Sequence, residues 1–73
     1  MPEVSRFYGI VIKLHYRDHA PPHFHAEYAS DELTVEIDPL RELSGYLPRR
    51  AVGLVLDWAA MHQAELRDAW RLA

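Results

Sequence analysis

The sequence predicts an α+β fold: a small antiparallel sheet of three to four strands, in the order β-β-β-(β)-α, packed against one long C-terminal helix. Three observations carry this. Apolar residues alternate at period two through the first half, they recur at helical spacing through the last third, and prolines mark the boundaries between runs.

The first run, "FYGIVIKLHY" from Phe7 to Tyr16, is β-branched and aromatic, with Ile10, Ile12, Leu14 and Tyr16 at period two. That is a strand pattern, and Gly9 within it marks a bulge or a close backbone approach. "RDHAPP" follows as a connection. Pro21 and Pro22 stiffen it and offer no amide donor, so the next strand begins after them. "HFHAEY", His23 to Tyr28, alternates again, and "ASDE" turns the chain into "LTVEI", Leu33 to Ile37. Asp38-Pro39 ends that run, and "ELSGYL", Glu42 to Leu47, fits either a short fourth strand or an ordered loop.

Pro48 opens the helix, where its missing N–H costs nothing and its fixed φ is helical. The helix runs roughly to Trp70. Ala51, Leu54, Val55, Trp58, Met61, His62, Leu66 and Ala69 gather on one side, with Arg49, Arg50, Asp57, Arg67 and Asp68 opposite. Val52, Leu56 and Trp70 form a second apolar flank.

Seventy-three residues make one domain, 1–73, whose small core is marginal unless something reinforces it. There is no cysteine, so disulfides and thiolate zinc sites are excluded, leaving histidine-based metal binding or self-association as reinforcement. The apolar fraction of 49% is high for so small an interior, which points to an interface and to a homo-oligomer or a protein partner. The net charge of −3, with no basic run longer than Arg49-Arg50, argues against strong nucleic-acid binding by itself. Met1 to Arg6 is polar without a cleavage pattern, and no apolar stretch approaches membrane-spanning length; a cytoplasmic protein is expected.

Strand parity places the histidines. If Ile10, Ile12, Leu14 and Tyr16 share a face with Phe24, Ala26 and Tyr28 and with Leu33, Val35 and Ile37, then Val11, Lys13, His15, His23, His25, Glu27, Thr34 and Glu36 share the other. A turn between Tyr28 and Leu33 sets Glu27 opposite Thr34 and His25 opposite Glu36. The preceding connection then allows Lys13 opposite Glu27 and His15 opposite His25, or, in an alternative register, His15 opposite His23.

Three readings of that face stand side by side. It is a solvated polar surface with a Lys13–Glu27 pair. It is a metal site in which His15, His25 and Glu36 hold zinc or another divalent cation. Or it is catalytic, with His15, His23 and His25 supplying a general base and a general acid, as in metal-independent RNA cleavage. His19 reads as turn chemistry and His62 as a buried histidine with one hydrogen-bond partner. Trp58 reads as core. Trp70 reads as an interface anchor or a cover for the core edge, and Pro21-Pro22 as a strand boundary or a rigid ridge offered to a partner.

"MPEVSRFYGIVIKLHY", "DHAPPHFHAEY", "LPRRAVGLVLDW" and "ELRDAW" together resemble the small prokaryotic family known as domain of unknown function 4160, over nearly the whole chain. The matching positions are His19, Pro21, Pro22, His23, His25 and Tyr28, with Arg49, Arg50, Trp58, His62 and Trp70. The resemblance implies no catalytic role for any of them. It implies a setting: a protein encoded beside another small protein, in pairs that look like toxin–antitoxin modules. The expectation is thus an interaction protein, one component of a bacterial two-gene module, binding its partner through a sheet edge, the proline loop or the helix flank. The rival expectations are a histidine-dependent nuclease-like toxin and a metal-stabilised binding module.

Overall fold

The computed structural model describes residues 3–15 and 19–72. Five strands and two helices follow in chain order: β1 (Glu3–Phe7), β2 (Ile10–Lys13), β3 (His23–Tyr28), β4 (Asp31–Ile37), β5 (Leu40–Gly45), α1 (Arg49–Met61) and α2 (Gln63–Leu72). The strands form one antiparallel sheet in sequence order, with β1 and β5 at its edges. The fold is α+β, with five strands rather than three to four and two helices rather than one.

The extra strand comes from the first run. Tyr8 and Gly9 both adopt positive φ, 50° and 79°, and close a two-residue hairpin between Phe7 and Ile10. Paired positive φ values match the right-handed twist of the flanking strands. Gly9 is therefore a turn rather than a bulge, and the polar residues before Phe7 become an edge strand. Gly9 is also a close approach: an added Cβ would stand 3.4 Å from the Tyr28 ring.

The expected helix divides at His62. Its φ of −121° leaves helical geometry, its amide bonds back to Ala59 at 3.1 Å, and its carbonyl accepts from Leu66 at 2.9 Å to start α2. The break rephases the apolar stripe. Ala51, Val55, Ala59 and Leu66 are the buried helical residues, whereas Met61, expected in the stripe, is 74% exposed. Trp58 is half-buried, stacked on Phe7 at 5.7 Å and edge-on to Phe24 at 6.1 Å. Val52, Leu56 and Trp70 pack partly buried against the core, as a flank should.

The inward parity holds. Ile10, Ile12, Leu14, Phe24, Ala26, Leu33, Val35 and Ile37 are all buried beneath the helices, and only Tyr28, at the strand end, is exposed. Tyr16 lies outside the described residues. The register differs from the expected one by two residues at both hairpins. Tyr28 faces Asp31 across a two-residue turn at Ala29-Ser30, with Ala29 at φ 54°. Glu27 therefore faces Glu32, His25 faces Thr34 and His23 faces Glu36, while Lys13 faces His25. An even slip keeps every side chain on its face. Two polar ties fix α2 to the sheet. The Gln63 amide donates to the Ile37 carbonyl at 2.7 Å, and Arg67 donates to Asp38 at 3.0 Å.

Candidate functional site

The histidine face is built on β2 and β3. The His15 ring lies 4.0 Å from His25, and His23 lies 5.1 Å from His25 on its other side. The three candidate catalytic histidines are thus brought together on the sheet face away from the apolar core, with α2 reaching His23 at the sheet end through Trp70. The β2–β3 register, carried two residues past Lys13, brings His15 level with His23, as in the alternative register, and its ring leans to the diagonal neighbour His25.

That face is only partly a solvated one. His23 and Glu36, directly opposite one another, are 8% and 7% exposed. His23 Nδ1 donates to the Pro21 carbonyl at 2.6 Å, and the Trp70 indole covers the ring with centroids 5.1 Å apart. His25 Nδ1 donates to Glu32 at 2.9 Å, with Thr34 Oγ1 at 3.4 Å. These bonds fix the protons of both rings on Nδ1. His15 Nε2 is buried and has no hydrogen-bond partner among the described residues.

The charges are arranged in pairs. Glu27 and Glu32 face one another across the β3–β4 ladder, an unfavourable placement for like charges. Each is answered diagonally or locally, Glu27 by Lys13 at 3.1 Å and Glu32 by His25. Glu36 is held by Arg41 Nε at 2.6 Å.

The set His15, His25 and Glu36, expected as metal ligands, does not assemble in that form. Glu36 belongs to the row of His23, one step along the ladder, and its carboxylate is engaged by Arg41. Among the described residues no three His, Cys, Asp or Glu side chains are grouped to hold a metal ion. His62 is half-exposed at the helix break rather than buried, donating from Nδ1 to Glu65 at 2.7 Å, with Trp58 5.0 Å away. Of the residues expected to meet a partner, Pro21 is exposed. Pro22 and Trp70 are half-buried and share a shallow cleft with Arg67, Asp68 and Arg71.

A second feature lies at the opposite end of the sheet and was not singled out by sequence reasoning. The β1–β2 turn, the end of β3 and the first turns of α1 enclose a groove of about 370 Å³. Tyr8 and Tyr28 form its rim, Ile10, Ala51 and Leu54 its floor, and Pro48 and Arg50 its helix side. Tyr8 is 80% exposed, and Tyr46, past β5 at the same end, is 64% exposed. The signal available in the sequence was the pairing of a turn-forming glycine with an aromatic residue at Tyr8-Gly9, hidden inside a continuous strand-like run.

Residues 9–71 match the family described as Domain of unknown function (DUF4160). The chain belongs to that family. The DUF4160 span takes in the whole histidine face and every groove residue named above except Tyr8. No curated protein and no solved structure matches the chain. Among the described residues no helix is long and apolar enough to cross a membrane.

Proposed function

We propose that this domain works as a partner-binding protein, one component of a bacterial two-gene module of the toxin–antitoxin kind, in the cytoplasm. The observation that supports this best is the aromatic-rimmed groove with Tyr8 presented to solvent. Large aromatic side chains anchored on a rigid turn bury much area on binding and lose little conformational freedom. Two open sheet edges, β1 and β5, add surfaces that a partner or a second copy pairs with readily. The two-gene setting is what the resemblance to the family implies.

Co-expression with the product of the adjacent gene tests the proposal. A stable complex in size-exclusion chromatography is the expected result. A chain that stays monomeric, is fully stable alone and is harmless when overproduced would count decisively against it.

One further observation favours a second reading. His15 and His23 flank His25, their ring centroids 4.0 and 5.1 Å from its own, which suits acid–base cleavage of RNA. In that case overproduction arrests growth, and His25→Ala abolishes the arrest with the fold intact. A phenotype unaltered by alanine at His15, His23 and His25 removes this reading.

A further inference from the structure

We infer that the Tyr8–Tyr28 groove receives an acidic, aromatic-bearing segment of the partner protein, with the partner's carboxylates paired to Arg49 and Arg50. This rests on the partner-binding proposal above and names the surface and the chemistry it selects.

Charge is the first argument. Arg6, Arg41, Arg67, Arg71 and Lys13 each hold a carboxylate within the chain. Arg49 and Arg50 are exposed and have no ion pair among the described residues. Both stand in the first turn of α1, where no acidic residue is present and Pro48 provides no side-chain cap. Cations at this end oppose the helix dipole, so the arrangement costs stability in the free chain. A carboxylate placed beside Arg50 relieves both the dipole and the unpaired guanidinium groups.

Backbone conformation and burial supply the second. Tyr8 is a bulky residue at φ 50°, in the left-handed region that asparagine or glycine occupies at far lower cost. The residue is 80% exposed and its ring meets Phe7 only edge-on, at 6.4 Å, so folding gains little from burying it. Neither turn chemistry nor the core accounts for an aromatic there, while a groove rim does. Tyr28 is fixed against Gly9, and Leu54 lies below, so an inserted ring meets apolar surface on several sides.

The same tyrosines and arginines raise the question of single-stranded RNA, whose bases stack on aromatics. A peptide is favoured here. The floor of Ile10, Ala51 and Leu54 offers no side-chain donor or acceptor for base edges, two cations make a short phosphate track, and the chain carries a net charge of −3.

The test is a titration of the full-length ¹⁵N-labelled chain with a blocked peptide of alternating phenylalanine and aspartate, its asparagine counterpart, its lysine counterpart and a short oligouridylate. The acidic peptide should give saturable shifts at the amides of Gly9, Arg50 and Leu54, with affinity about tenfold above the asparagine peptide, a factor ordinary for a charge-assisted pair. The Arg49→Gln/Arg50→Gln double variant should bind the acidic peptide no better than the asparagine one. Tyr8→Ala, checked for an unchanged fold by its spectrum, should weaken both. Absence of saturable shifts at millimolar peptide, equal binding of the lysine peptide, or tighter binding of oligouridylate at the same amides would each overturn the assignment. Co-purification of the adjacent gene's product that survives both Tyr8→Ala and the arginine double variant would sink this surface while leaving partner binding itself standing. Loss of co-purification in those variants alone supports the surface.

Discussion

The indole of Trp70 lies over the imidazole of His23, centroids 5.1 Å apart and planes inclined at 49°, so the last turns of α2 close over the start of β3. This contact ties the C-terminal helix to the strand that carries the histidine string. Trp70→Ala should destabilise the fold by about 2 kcal/mol, less than a fully buried tryptophan because the ring is half-exposed. A double-mutant cycle with His23→Ala in urea should return a coupling of about 0.5–1.5 kcal/mol. Additive effects would show that the rings merely adjoin.

Glu36 is a nearly buried carboxylate bound by Arg41, which reaches in from the edge strand β5. Arg41→Met should cost about 2 kcal/mol, since it strands a charge away from water. Adding Glu36→Gln should recover part of that loss, because a neutral amide is cheaper to bury. Chemical denaturation of the two variants beside the parent chain decides the matter, and a double variant no better than Arg41→Met would refute it.

Two glycines should respond oppositely to alanine. At Gly45, φ is +87° and an added Cβ would stand 2.2 Å from the Glu32 carbonyl oxygen, so Gly45→Ala should lower stability by about 2–3 kcal/mol or more. At Gly53, within α1, an added Cβ meets nothing within 4 Å, so Gly53→Ala should raise stability by about 0.5–1 kcal/mol. Thermal melts of both variants test the pair.

The Glu3 carboxyl is held below its ordinary range, chiefly by the hydrogen bonding it accepts from Arg6, against an opposing effect of desolvation and with lesser help from the charges of Arg6 and Lys13. A depressed carboxyl pKa contributes stability that is present above the unfolded value and is lost as pH falls through the folded one. Arg6→Ala should therefore move the Glu3 titration upward in a carbon-detected NMR experiment and leave the neutral-pH fold unchanged. An unmoved midpoint would show that the pair is not populated in solution.

How much of this was legible in the chain differs by feature. The inward set Ile10, Ile12, Leu14, Phe24, Ala26, Leu33, Val35 and Ile37 could be read because alternation is a property of each strand alone. For the same reason the three histidines could be assigned to one face. The hairpin at Tyr8-Gly9 was hidden because β-branched and aromatic residues on both sides of it look like one strand. The turn at Ala29-Ser30 was hidden because alanine gives no sign of a positive φ. Register followed those turns, so the partners of His25 and Glu36 were displaced by two.

Which side chains turn inward and which share a face follows from the order of residues alone, because period two and period 3.6 are local geometry. Tertiary structure decided who meets whom: Glu36 with Arg41, His23 with Trp70, and Tyr8 with Tyr28 and Arg50 around one groove. Those meetings depend on turn length, the helix break at His62 and the approach of α1 to the sheet end, none of which is encoded within a single element.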